Sequence, residues 1–164
     1  NTRSIPKNIF NKSLNNSRKK QVSLSGFSYL FCEILKYSSK NIRNVEELED
    51  KLSSLGYMIG IKQLELMTFR YNTNKKFKDV IGLLEFIKNI VWKNLFGKIA
   101  DGLEQSTKNK KEFFILESQP ITNKYVSVPK DMGDFNPASF IAGIISGILN
   151  ESGFHCNVIA HDTS

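Results

Sequence analysis

The run Phe135-Asn136-Pro137-Ala138-Ser139-Phe140-Ile141-Ala142-Gly143-Ile144-Ile145-Ser146-Gly147-Ile148-Leu149-Asn150 decides how this chain folds. It holds no charged side chain, yet it falls short of the roughly 20 apolar residues that cross a bilayer as a helix. It therefore reads as a core helix, capped by Asp134 or Asn136, with Pro137 in its first turn, and apolar nearly all round through Leu149. Such a helix belongs at the centre of a domain. Gly143 and Gly147 share one of its faces, and Gly56 and Gly60 repeat that spacing upstream. A glycine in a helix interior costs about 1 kcal/mol relative to alanine, so close helix packing at Gly56, Gly60, Gly143 and Gly147 is the expected compensation. Room for a lipid tail or small ligand between these helices is the alternative.

Two helices are expected well upstream of the central one. Ser23 is an N-cap for the first, which runs towards Tyr37 with Leu24, Phe27, Phe31 and Ile34 at helical spacing. Leu30, Leu35 and Tyr37 widen the stripe until it can meet both the domain's own core and something outside it. Asn44 with Glu47 reads as a capping box for the second helix, in which Val45, Leu48, Leu52, Leu55 and Ile59 recur at three and four residues. The acidic group Glu46, Glu47, Glu49 and Asp50 lies in its first turns, where negative charge offsets the helix dipole.

After a break at Asn72 to Lys76, a third helix carries Val80, Leu84, Ile87, Val91 and Leu95 and stops at Gly97. Beyond the polar run Gln105 to Lys111 the pattern becomes β-prone. Phe113 to Glu117 and Lys124 to Val128 are expected to form an antiparallel hairpin across a turn at Gln119 and Pro120. Phe154 to His161 alternates as a final strand, with Phe154, Cys156, Val158 and Ala160 on one face. Helices grouped first and strands later, with one helix between strands, give an α+β domain over residues 21–164, preceded by a basic N-terminal arm over residues 1–20.

At 164 residues the chain suits a single core. Cys32 and Cys156 match no metal or redox spacing and read as buried thiols of a cytosolic protein. The first residues lack the apolar run of a secretory signal, so the glycosylation tripeptides at Asn11, Asn15 and Asn150 carry no weight. The net charge of +7 invites a nucleic-acid partner. The excess is lysine, however, and the dense clusters Arg18 to Lys20, Lys75 to Lys78 and Lys108 to Lys111 fall in a tail and in loops. Weak attraction to an anionic membrane surface fits that distribution better than nucleic-acid recognition, which favours arginine.

The sequence holds no phosphate-binding glycine loop, no HExxH and no serine elbow. His155 and His161, on an extended strand, stand roughly 20 Å apart and cannot share an ion. Asp101 and Glu104 lie three apart and would face the same way if the third helix resumed after Gly97, which reads as a solvated face rather than an acid/base pair. No catalytic residue, cofactor or metal ligand is assigned.

Several blocks, taken in order, carry a resemblance: Val22-Ser23-Leu24-Ser25, Leu55-Gly56-Tyr57-Met58-Ile59-Gly60, Trp92-Lys93-Asn94-Leu95-Phe96-Gly97-Lys98 and Tyr125-Val126-Ser127-Val128-Pro129-Lys130. Ala138-Ser139-Phe140-Ile141-Ala142-Gly143-Ile144, Gly153-Phe154 and Ala160-His161 complete the set. Together they resemble the subunit 5 family of the transport protein particle (TRAPP), a vesicle-tethering complex. The resemblance implies a single small-subunit domain with helices flanking a small twisted antiparallel sheet, and a further strand beyond His161. It implies a non-catalytic scaffold that supports transport from endoplasmic reticulum to Golgi and Rab GTPase nucleotide exchange by the whole assembly, with a lipid-binding or small-molecule-binding module of the same fold as the alternative. The implied location is cytoplasmic, peripheral at cis-Golgi and endoplasmic reticulum membranes. The implied partners are the central small TRAPP subunit and a sedlin-type longin subunit, met through the early helices, which singles out Phe27, Leu30, Phe31, Ile34 and Leu35. Two departures stand out. No cysteine lies near Phe77, where the central subunit carries its fatty acyl chain, and Pro137 stands where a cysteine-like or small residue is expected.

Overall fold

A computed structural model describes residues 22–40, 42–71, 77–128, 132–133 and 135–162. The N-terminal arm, the loop Asn72 to Lys76 and Asp134 as a helix cap lie outside them. Helix α1 spans Leu24–Ser38, and its start is set by Ser23, whose Oγ accepts from the Gly26 N–H at 3.1 Å. Helix α2 spans Val45–Tyr71 and opens on the expected box. The Glu47 N–H donates to Asn44 Oδ1 at 2.9 Å, while Glu47 Oε2 accepts from the Arg43 N–H at 3.0 Å, one residue earlier than the usual reciprocal bond. Asn44→Ala is expected to cost about 1 kcal/mol, read as a fall of the thermal midpoint by about 2–4 °C in circular dichroism.

The third helical stretch changes pitch on the way. Helix α3 (Val80–Phe86) passes through a π-helical turn at Ile87–Val91 into helix α4 (Trp92–Phe96). Gly97 then stops it in the left-handed region at φ 81°, with its N–H on the Lys93 carbonyl. Within the π turn the Lys88 carbonyl accepts from the Ala100 N–H at 3.3 Å, which ties the returning chain to the helix it has just left.

Helix α5 (Ser139–Glu151) is the central element: Phe140, Ile141, Ile144, Ile145, Ile148 and Leu149 all belong to the core. It begins after Pro137 rather than around it. The Asn136 side chain accepts from the Ala138 N–H at 3.0 Å, and the Asn136 N–H donates to Glu49 Oε1 at 2.8 Å. One of the acidic residues at the start of α2 thus anchors the start of α5.

Helices α2 and α5 run side by side in the same direction, locked by their glycines. A Cβ added at Gly56 or Gly60 would sit 2.1 or 2.2 Å from the carbonyl oxygens of Phe140 or Ile144. One added at Gly143 or Gly147 would sit 2.1 or 2.3 Å from those of Ser53 or Tyr57. Each helix therefore lays its two glycines on the backbone of the other, where Cα hydrogens meet carbonyl oxygens in contacts worth about 0.5–1 kcal/mol apiece. This leaves no room for an acyl chain between these faces. It also moves the core side of α2 from the expected stripe: Leu48, Leu52, Gly56, Gly60, Leu64 and Met67 are buried, whereas Leu55 and Ile59 are exposed. The backbones can approach only on the side without side chains.

The sheet corrects the expected hairpin. Among the described residues it has two antiparallel strands, β1 (Gly102–Gln105) and β2 (Phe113–Leu116), with Leu103 opposite Ile115 and Glu104 opposite Phe114. Phe113 to Glu117 pairs backwards, not forwards, and the polar run taken as a break is the turn between the strands. Residues 124 to 128 form a turn and irregular chain. Gly-Leu-Glu-Gln has little β propensity of its own, and what makes it a strand is Phe113 to Leu116 beside it. Phe154 to His161 makes no strand ladder either. Gly153 turns the chain at φ 89°, the Phe154 N–H donates to the Leu149 carbonyl at 2.9 Å, and Phe154 and Val158 pack on the core with no strand among the described residues to pair with. The helices with this small sheet make an α+β domain.

Candidate partner-binding surface

Along α1 the expected apolar arc splits in two. Phe31, 2% exposed, stacks on Phe27 at 5.7 Å and meets the Phe140 ring of α5 edge-on at 5.5 Å. It belongs to the core and not to the expected partner surface, because α5 already covers it. Phe27, Ile34 and Leu35 are partly buried against the same core. Leu30 is 60% exposed, and Tyr37, two turns further on, is 76% exposed. Tyr29 lies open beside them.

A second open strip runs along α2. Leu55, Met58 and Ile59, at i, i+3 and i+4, are exposed, with Met58 at 61%. Leu55 and Ile59 read from sequence as part of the buried stripe, yet the signal for the correct side was present. Two glycines four apart claim the close-packed face, and Leu55 and Ile59 each precede a glycine by one position, about 100° round the helix. Exposed apolar side chains on two neighbouring helices exclude water poorly by themselves and are stabilised by a matching apolar surface.

The residues considered for chemistry are dispersed. His155 and His161 are exposed, and the described residues hold no group of three or more His, Cys, Asp or Glu that could hold a metal. Both cysteines, expected to be buried, are exposed. Burial of part of its surface still pushes the Cys156 thiol up from its ordinary range. A shallow cleft of about 200 Å³ is lined by Tyr71, Asn89, Ile90, Lys93 and Asn94. Asn94 spends its amide on Met67 Sδ at 3.0 Å.

Asp101 and Glu104 do not share a helix face, because the chain after Gly97 enters β1. Asp101 closes the base of the hairpin, its Oδ2 accepting from the Ser118 Oγ at 2.6 Å and from the Ser118 N–H at 2.7 Å. Lys98 bridges it to Glu117, which also accepts from Trp92 Nε1 at 2.9 Å. The Ser118 hydroxyl, then its N–H, hold the Asp101 carboxyl below its ordinary range. A depressed folded pKa stabilises the fold above the unfolded value near pH 4, and that contribution is lost as pH falls through the folded value. The urea midpoint, followed by the fluorescence of the single tryptophan Trp92, should therefore drop below about pH 4, with a shallower drop in Asp101→Asn.

A model of the transport protein particle (TRAPP) component family matches residues 27–164. The chain belongs to the TRAPP component family. Among its TRAPP relatives, the trafficking protein particle complex subunit 5 of Dictyostelium discoideum is 41% identical over 97% of this chain and 85% of its own length. The human subunit 5 is 41% identical over 86% of this chain and 75% of its own length. Subunit 31 of Saccharomyces cerevisiae is 24% identical over 96% of this chain and 75% of its own. These relatives are named as subunits of a trafficking complex rather than as enzymes. No helix among the described residues is long and apolar enough to cross a membrane.

Proposed function

We propose that this chain is a non-catalytic scaffold subunit of a TRAPP tethering assembly, which it enters through the open apolar strips of α1 and α2. The observation that carries the reading is the exposure of Leu30, Tyr37 and Met58 on helices whose opposite faces pack against the core. Side chains of this type at the centre of an interface carry most of its binding energy, while their truncation in the free subunit costs the fold little. The partner that fits is the central small TRAPP subunit, with a sedlin-type longin subunit as a second neighbour. The assembly then tethers vesicles between endoplasmic reticulum and Golgi, peripheral at both membranes, and promotes Rab nucleotide exchange collectively. Affinity purification of the tagged chain should recover other TRAPP subunits in stoichiometric amounts. Recovery of the chain alone, as a monomer, would overturn the assignment.

A further inference from the structure

The turn of the β1–β2 hairpin carries charge that the helical surface does not use. It reads Ser106-Thr107-Lys108-Asn109-Lys110-Lys111, with three lysines, no acidic residue among them, and every position from Thr107 to Glu112 exposed. Lysines in a loop are ordinarily solvated and mobile, but this backbone is tied. Gln105 Nε2 donates to the Lys110 carbonyl at 2.6 Å, and the Asn109 N–H donates to Ser106 Oγ at 3.3 Å. The Lys111 N–H donates to Asn109 Oδ1 at 3.1 Å, and the Ser106 N–H donates to the Glu112 carbonyl across the neck at 2.9 Å. Lys98, on the same lobe, is spent on Glu117 and Asp101. Lys108, Lys110 and Lys111 take part in none of the ion pairs formed among the described residues.

We propose that this turn is an electrostatic docking point for an anionic membrane surface. The inference rests on the reading of the chain as a subunit of a peripheral tethering assembly, and it names the place where that assembly meets lipid through this subunit. Three features select a headgroup layer over a protein or nucleic-acid partner. The turn ends a hairpin with all its apex exposed, so it offers no groove for a shaped ligand. Its cations are all lysines, hydrated point charges without the planar fork that reads carboxylates or phosphates in a fixed geometry. Its hydrogen bonds keep the three lysine positions within one tied turn, within reach of a single flat anionic surface. Each basic residue close to such a surface strengthens attraction about fivefold, so three lysines supply about a hundredfold. On a multisubunit particle this adds to the contacts that other subunits make with the same surface.

The test uses the whole chain with phosphatidylcholine vesicles containing roughly 30 mol% phosphatidylserine, co-sedimented at ~0.1 M salt, where charges act over about 10 Å. The wild type should bind these and ignore pure phosphatidylcholine, and binding should vanish at ~1 M salt. Replacing Lys108, Lys110 and Lys111 together by glutamate should weaken binding at least about a hundredfold, while replacing all three by arginine should preserve it. A parallel variant with Arg18, Lys19 and Lys20 reversed separates the turn from the arm. Unchanged binding of the turn variant overturns the proposal, as does a loss confined to the arm variant. Competition by millimolar inorganic phosphate would make the turn a small-anion site and also overturn it. So would a wild type that ignores the vesicles but needs the three lysines to capture a TRAPP subunit, since the turn would then meet an acidic protein surface. Subunit capture on the same preparations tests the assembly reading separately. Its failure in the wild type overturns that reading whatever the vesicles show.

Discussion

Gly143→Ala is expected to cost about 3 kcal/mol or more, although alanine is the better helix former by about 1 kcal/mol. The sign reverses because the new methyl group would lie 2.1 Å from the Ser53 carbonyl oxygen and 2.7 Å from Ser53 Cα, both backbone atoms that no rotamer change can move. Relief requires α2 and α5 to separate along the whole glycine seam, loosening the helix on which the core is built. The thermal midpoint should fall by about 6–12 °C, and Gly56→Ala, facing the Phe140 carbonyl at 2.1 Å, should behave alike. The double variant is expected to cost less than the sum, since helices that have already moved apart for one methyl have made room for the other. A midpoint unchanged in Gly143→Ala would show that the seam is open and would restore the ligand-cavity alternative.

Leu30→Asp should leave the fold intact and abolish partner capture. Its side chain is exposed, so the charge stays in water in the free subunit, but an apolar partner would have to bury it unpaired. The expected loss is about 2 kcal/mol or more, a weakening of about thirtyfold, and Tyr37→Asp and Met58→Asp should each do the same. Phe31→Asp is the contrasting case. It places a carboxylate against Phe140 in the core and should unfold the domain, so any binding defect there says nothing of the surface. Circular dichroism and capture of the central small TRAPP subunit separate the two outcomes. Wild-type binding by folded Leu30→Asp and Met58→Asp variants would remove both strips from the interface.

Features whose signal lies within a few residues were legible in the sequence. The Ser23 cap and the box at Asn44 and Glu47 each depend on a side chain meeting backbone three positions away, and the stop at Gly97 on a left-handed backbone that glycine adopts freely; the structure forms all three. The apolar run from Ser139 to Leu149 announced a central helix because no surface position tolerates it. The α+β class and the family resemblance followed from the order of such blocks, and the family match over residues 27–164 agrees with them.

What depends on contacts distant in sequence was not legible. Gly102–Gln105 is a strand only through pairing with Phe113–Leu116, and Phe154 to His161 alternates without acquiring a partner among the described residues. Periodicity marks an apolar arc but does not say which part of a wide arc the core will take, because side chains one position apart differ by only about 100° around the axis. On α2 the sequence carried two conflicting signals, an apolar stripe through Leu55 and Ile59 and a glycine pair marking a close-packed face, and α5, which needed bare backbone against its own, took Gly56 and Gly60 and left Leu55 and Ile59 to the surface. The same holds on α1, where Leu30 and Phe31 are neighbours of like apolarity. The sequence determined that both lie on the apolar side of a helix, and the ring of Phe140, more than a hundred residues away, decided that Phe31 is core and Leu30 surface.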